Sequence, residues 1–144
     1  MSTEENKTVI RRWIEEAWGK GDLAALSEVA AADVVDHNAT PGLPPGSEGQ
    51  KAIILMLRSA FPDGTNTLED VIVEGDKVVD RHTFRGTHRG EFFGIPPTGK
   101  QVTFTGIEMT RIANGKIVEI WHQEDLLGLM QQLGAIPAPG QAKS

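Results

Sequence analysis

The stretch Trp121-His122-Gln123-Glu124-Asp125 places an indole, an imidazole and two carboxyls at the end of a strand-like run, KIVEIWHQ, just before the apolar LLGLMQQLG. A carboxyl at Asp125, packed beside Trp121 and Phe104 and partly out of water, would have its pKa raised toward neutrality and could act as a general acid and base. The same side chain stands where a helix begins, so it could equally be an N-cap. Three further histidines extend the set. His88, in RGTHRGEF, lies near a strand end; His82 lies mid-strand, where a hydrogen-bonded core role is the simpler account; His37 follows Asp36, which could orient its ring. Glu108 is either a pocket carboxylate or the partner of a nearby base. No pair of histidines has HxH or HxxxH spacing and the chain has no Cys, so no metal ligand set is read here. The GxSxG, GxxxxGK[ST] and GxGxxG patterns are also missing. Acid/base chemistry without a cofactor is what these residue types leave.

Positioning them requires helices early and strands late. Ile10, Trp13, Ile14, Ala17 and Trp18 follow the spacing of one helix face, predicting a helix over 9–18 with Ser2-x-x-Glu5 as its capping box. Asp22 caps a shorter helix through Leu23, Leu26 and Val29. DVVDHN (33–38) reads as a short strand, and ATPGLPPG as a loop. Ser47-x-x-Gln50 predicts a second capping box, opening a helix over 48–60. From about 66 the period becomes that of strands. Gly75-Asp76 and Asn114-Gly115 each sit between strand-like runs as two-residue hairpin turns. GEFFGIPPTGK interrupts them as a loop, a last helix covers 125–133, and residues 137–144 are expected to fray. Helices followed by antiparallel strands make an α+β fold, the helices lying on one face of a curved sheet.

The turns also predict which side chains share a face. Counting outward from Asn114-Gly115, Asp125 opposes Phe104, Gln123 opposes Gly106 and Trp121 opposes Glu108. Those six residues then face a pocket, while His122 joins Ile107, Met109, Val118 and Ile120 on the outside, unless a bulge intervenes. From Gly75-Asp76, the face of Val71, Val73 and Val78 also carries His82, Phe84 and His88, with Arg81 and Arg85 opposite. An apolar face that ends in His and Asp is what a concave ligand pocket requires.

Composition narrows the partners. The 144 residues carry a formal charge of −6, which disfavours nucleic acid and anionic membrane surfaces. The longest apolar run, AIILML, is far too short to span a bilayer, and the polar, acidic start shows no signal peptide. A cytoplasmic protein is the expectation.

GTHRGEFFGIPPTGKQV (86–102), NGKIVEIW (114–121), the Asp four residues after Trp121 and the closing QQLG (131–134) together resemble the SnoaL-like polyketide cyclase (ester cyclase) family of the NTF2-like superfamily. The resemblance implies one domain over 1–136, a cone of strongly bent antiparallel sheet with the N-terminal helices over its concave face. It also implies a homodimer, which the outer face of Ile107, Met109, Val118 and Ile120 would suit. Cyclases of this kind close a ring by intramolecular aldol condensation, with no metal or cofactor. In them a pocket Asp moves the proton, and Asp125 matches it by its place in WHQED, with His88 as hydrogen-bond partner. His37, His82, Phe84, Phe104, Glu108, Trp121 and Gln123 are the expected pocket residues around a small apolar or aromatic carbonyl ligand. A related isomerase or dehydratase, a pocket that binds an apolar ligand without turnover, and hydrolysis of the epoxide-hydrolase kind are the alternatives.

Overall fold

A computed structural model describes residues 2–137, so most of the tail expected to fray lies outside the described residues. Ser2 and Glu5 form the reciprocal capping box, opening helix α1 (Thr3–Arg11). The helix continues as a π-helical stretch, Arg12–Trp18, which buries Trp13, Ile14 and Ala17. Asp22 accepts from the Ala25 amide to start α2 (Leu23–Val29), and β1 (Ala30–Asp36) follows directly. Helix α3 (Gly46–Ala60) begins earlier than its sequence pattern suggests. Ser47 is buried inside its first turn rather than capping it, and the Gln50 amide, free of any capping duty, donates to Asp36 Oδ2 at 2.9 Å. The remaining elements are β2 (Thr65–Glu74), β3 (Lys77–Thr87), β4 (Gln101–Ala113), β5 (Lys116–Glu124) and α4 (Leu126–Gln132).

The five strands form one sheet in the order β1-β5-β4-β3-β2. Both hairpins turn where Gly75-Asp76 and Asn114-Gly115 predict, pairing Glu74 with Lys77 and Ala113 with Lys116. Strand β1 joins the edge of β5 in parallel, so the sheet is mixed rather than wholly antiparallel. No helix among the described residues is long and apolar enough to cross a membrane.

One irregularity governs the faces of β5. Ile112 pairs with Ile117, but Arg111 pairs with Glu119, leaving Val118 as an extra residue. Such a bulge shifts every later side chain to the other face. Ile117 and Ile120, three apart, are therefore both buried, at 0% and 2% exposure. His122 and Glu124 follow Ile120 inward, while Trp121 turns outward. Three sequence expectations fall with this shift: Ile120 belongs to the core and His122 to the cavity instead of the outer face, and Trp121 to the outer face instead of the pocket.

The core has two parts. Ile10, Trp13, Ile14, Leu26 and Val29 pack onto Val34, Val78, Ile112, Ile117 and Ile120; Phe61, Phe84, Phe92, Phe104 and Leu129 form the second cluster nearer α4. Burying each such large side chain contributes roughly 1.5–3 kcal/mol.

Deleting Val118 would restore continuous pairing and carry His122, Glu124 and the strand end to the wrong faces. The expected result is loss of the cooperative thermal transition seen by near-UV circular dichroism; a deletion variant that melts like the parent would show that the bulge does not set the faces.

Candidate active site

A cavity of about 300 Å³ lies between the two core clusters and takes walls from both. Trp13, Ile14, Trp18 and Ile120 line one side, Phe84, Phe92 and Phe104 the other. Its polar floor follows from strand pairing. The inward rows run Val78–Thr110–Ile120, then Asp80–Glu108–His122, then His82–Gly106–Glu124, then Phe84–Phe104. Two polar rows are thus set between apolar ones, where water is scarce and charge is expensive.

Within the first polar row, Glu108 is buried at 6% exposure and its Oε1 accepts from Trp13 Nε1 at 2.7 Å. Burial, and then the neighbouring Asp80 carboxyl, push the Glu108 carboxyl well above the usual range, against the smaller downward pull of the Trp13 hydrogen bond. Both effects favour the protonated form of Glu108. Asp80, 1% exposed, is likewise raised by burial, opposed by its hydrogen bond with His82. Its Oδ1 lies 2.6 Å from His82 Nδ1, and its Oδ2 has no partner. Asp80 thus holds the Nδ1 side of the ring, and Nε2 is the ring nitrogen left for a ligand. Gly106 makes this orientation available, because a Cβ there would stand 2.5 Å from His82 Nε2.

His122 has a different state. Burial favours its neutral form, but hydrogen bonds with Asp36 and Glu124 outweigh it and carry the pKa up to about 10. Nδ1 lies 2.8 Å from both Glu124 oxygens and Nε2 lies 3.0 Å from Asp36 Oδ1. Asp36 is itself half-buried, which pushes its carboxyl up, yet hydrogen bonds from His122, Gln50 and the Asn38 amide hold it below the usual range. The imidazolium is a fixed positive charge in the cavity wall, with both N–H groups spent on carboxylates.

Donor atoms of Asp80, His82 and Glu108 all lie within 4.8 Å of one another, a separation that could admit a metal ion. His82 Nδ1 is already engaged by Asp80 and one Glu108 oxygen by Trp13, so the cluster is better described as a hydrogen-bonded acid/base group.

Of the residues singled out from sequence, His82, Phe84, Phe104 and Glu108 line the cavity, and Gln123 borders it although exposed. Asp125 does not. It is exposed, and its Oδ1 accepts from the Gly128 amide at 2.9 Å, capping α4. The bulge and the end of β5 at Glu124 remove the alternation that would have turned it inward. His88 is fully buried but away from the cavity, its ring 5.5 Å from Phe61. Its Nδ1 accepts from the Thr98 amide at 3.1 Å, and its backbone bonds to Lys100 and Gly99, so it secures the 88–100 loop. His37 is exposed on the outer face, stacked on Trp121 at 4.6 Å and paired with Glu119. Asp36, Asp80, His122 and Glu124 were not among the pocket residues read from sequence. The Asp80-x-His82 and His122-x-Glu124 spacings were the available signal, since residues two apart on a strand share a face.

The family model for SnoaL-like polyketide cyclases matches residues 8–133. The chain is 30% identical over 138 residues to the aklanonic acid methyl ester cyclase DnrD of Streptomyces peucetius, spanning 93% of this chain and 92% of that one. The structure of TsrD from Streptomyces laurentii is similar at a TM-score of 0.87 and 32% identity, covering 94% of this chain and 99% of that chain. IdmH from Streptomyces antibioticus, a putative polyketide cyclase, is similar at a TM-score of 0.78 and 37% identity, covering 90% and 98%.

A raised His122 pKa stabilises the fold fully below pH 6.5, and that contribution is lost as pH climbs toward about 10. Glu108 acts in the same direction, since its raised folded-state pKa contributes stability at low pH that is lost as pH rises above 4.5. Stability should fall between pH 6.5 and 10, with His122 contributing on the order of a few kcal/mol of the decline. His122→Gln should flatten this part of a Tm-against-pH curve; an unchanged slope would contradict the imidazolium.

Proposed function

We propose that this chain, which belongs to the SnoaL-like polyketide cyclase family, closes a ring by intramolecular aldol condensation of a small apolar or aromatic carbonyl compound. The observation that carries this reading is the Asp80–His82–Glu108 group at the floor of an apolar cavity. It sets an imidazole beside a carboxyl whose protonated form is favoured by burial. His82 Nε2 takes a proton from a carbon flanked by two carbonyls, and Asp80 steadies the imidazolium that forms. The enolate carbon attacks the second carbonyl, and Glu108 gives its proton to the new alkoxide. The proton on His82 then returns to Glu108, which resets the pair. The His122 imidazolium lowers the cost of the enolate through its charge. Isomerase or dehydratase chemistry would use the same proton transfers. Hydrolysis of the epoxide-hydrolase kind is disfavoured, because Arg81 and Arg85 are exposed and do not line the cavity.

In this reading Asp125 is a cap and not the acid/base, and His88 is a buttress of the loop. Aklanonic acid methyl ester, the compound in a relative's name, is the first substrate to test. His82→Gln should lower kcat by roughly 10²–10⁴-fold and slow deuterium uptake at the acidic carbon. Asp125→Asn should keep both kcat and Tm, because Asn caps about as well as Asp. The opposite pattern would return the catalysis to Asp125.

The outer sheet face leaves Ile107 57%, Ile72 67% and Val79 36% exposed, a row of apolar side chains turned to water. A second copy packed there accounts for it. Ile107→Arg should convert a dimer to monomer in sedimentation analysis; a wild-type chain that sediments as a monomer would remove the assignment.

A further inference from the structure

Two turns in this chain share one backbone conformation but not one sequence. Asn114-Gly115 has φ values of 51° and 77°, the pair of positive angles that a type I′ hairpin needs. Asn and Gly are the residues that accept them without strain. Phe93-Gly94 has φ values of 46° and 81°, within a hairpin closed by Phe92 and Ile95, whose backbones exchange hydrogen bonds at 3.0 and 2.9 Å. A bulky aromatic at a left-handed position is strained, and such strain is retained where surrounding structure or function imposes it.

Phe93 is also poorly buried, at 55% exposure, and its main aromatic contact is an edge-on approach to Phe92 at 4.7 Å. Asn at this position would remove both the strain and the exposed apolar area. The ring nonetheless borders the cavity mouth, where Leu126, 49% exposed, forms another part of the rim. His88 and Phe92 hold the hairpin in place from beneath, through the Thr98 bond and packing on Phe61. The ring therefore lines the cavity from an anchored hairpin.

We infer that Phe93 is a specificity-determining clamp, its ring covering the flat face of a bound conjugated ligand at the cavity mouth. This rests on the cavity being the ligand site, as the proposed function has it, but not on any catalytic step. Ligand binding completes the burial that the turn leaves unfinished, so the local strain is offset only in the complex. A flat ring presents a π face to Phe93, and a puckered ring of similar size does not.

The test compares 2-naphthol with its saturated counterpart 2-decalol, using quenching or shift of the Trp13 and Trp18 fluorescence in the full chain. Wild type should prefer 2-naphthol. Phe93→Asn should raise Tm, because it relaxes the turn, and weaken 2-naphthol roughly 3- to 10-fold while leaving 2-decalol nearly unchanged. Phe93→Leu, which keeps apolar bulk, should lose the same preference. Asp125→Asn, at the α4 cap outside the cavity, should bind both compounds as wild type does; a wild type that binds neither compound would instead show that the cavity is not the ligand site, a failure distinct from loss of the clamp. Retained preference in Phe93→Asn, or equal weakening of both compounds, overturns the clamp. So does a fall in Tm with the preference intact, which would make Phe93 a structural residue.

Discussion

The pairing of β4 with β5 changes register once, at Val118, and the contents of the cavity depend on that change. Strand geometry allows no partial outcome, since each side chain faces one side or the other. With the extra residue, Ile117 and Ile120 both enter the core, and His122 and Glu124 come to stand beside Glu108 and Gly106. Without it, the pocket would hold Trp121 and Gln123, and the imidazole would sit on the outer face. One residue of chain length thus separates an acid/base floor from an ordinary amphipathic strand.

Scarcity of water then sets the protonation states on that floor. Four carboxyls, Asp36, Asp80, Glu108 and Glu124, approach two imidazoles with little solvent to screen them. The cluster resolves the conflict by dividing its protons. His122 is charged between two carboxylates, while burial beside Asp80 favours the protonated form of Glu108. Groups with separated protonation states are what paired acid and base chemistry needs. The separation arises from depth and neighbours rather than from residue type.

Family membership fits this arrangement, since the curated relatives are cyclases and the solved relatives share the fold over nearly the whole chain. The fold supplies a concave sheet closed by helices. The chemistry is placed by the two polar rows that cross it, and by the small Gly106 that lets His82 lie flat over the floor. Sites of this kind are grafted on a scaffold, so the rows and not the cone carry the functional argument.

Much of the scaffold was legible along the chain. The Ser2–Glu5 box, the Asp22 cap, both hairpin turns and the α+β order are local matters, decided by residues within a few positions of one another. Placement of Phe84, Phe104, His82 and Glu108 on one face also followed from turn residues and alternation. The residues around Asp125 suit both cap and catalyst, and the family resemblance tips the reading to catalyst; the end of β5 and the amide of Gly128 instead turn its side chain to the α4 cap. The parallel docking of β1, the bulge at Val118, the inward turn of His122 and the meeting of Asp36 with it across 86 residues of sequence were decided by tertiary structure. Turn propensities report the energy of a few dihedral angles, and these fix the hairpins. A bulge is chosen by how well two distant layers pack, a quantity to which no short window of sequence has access.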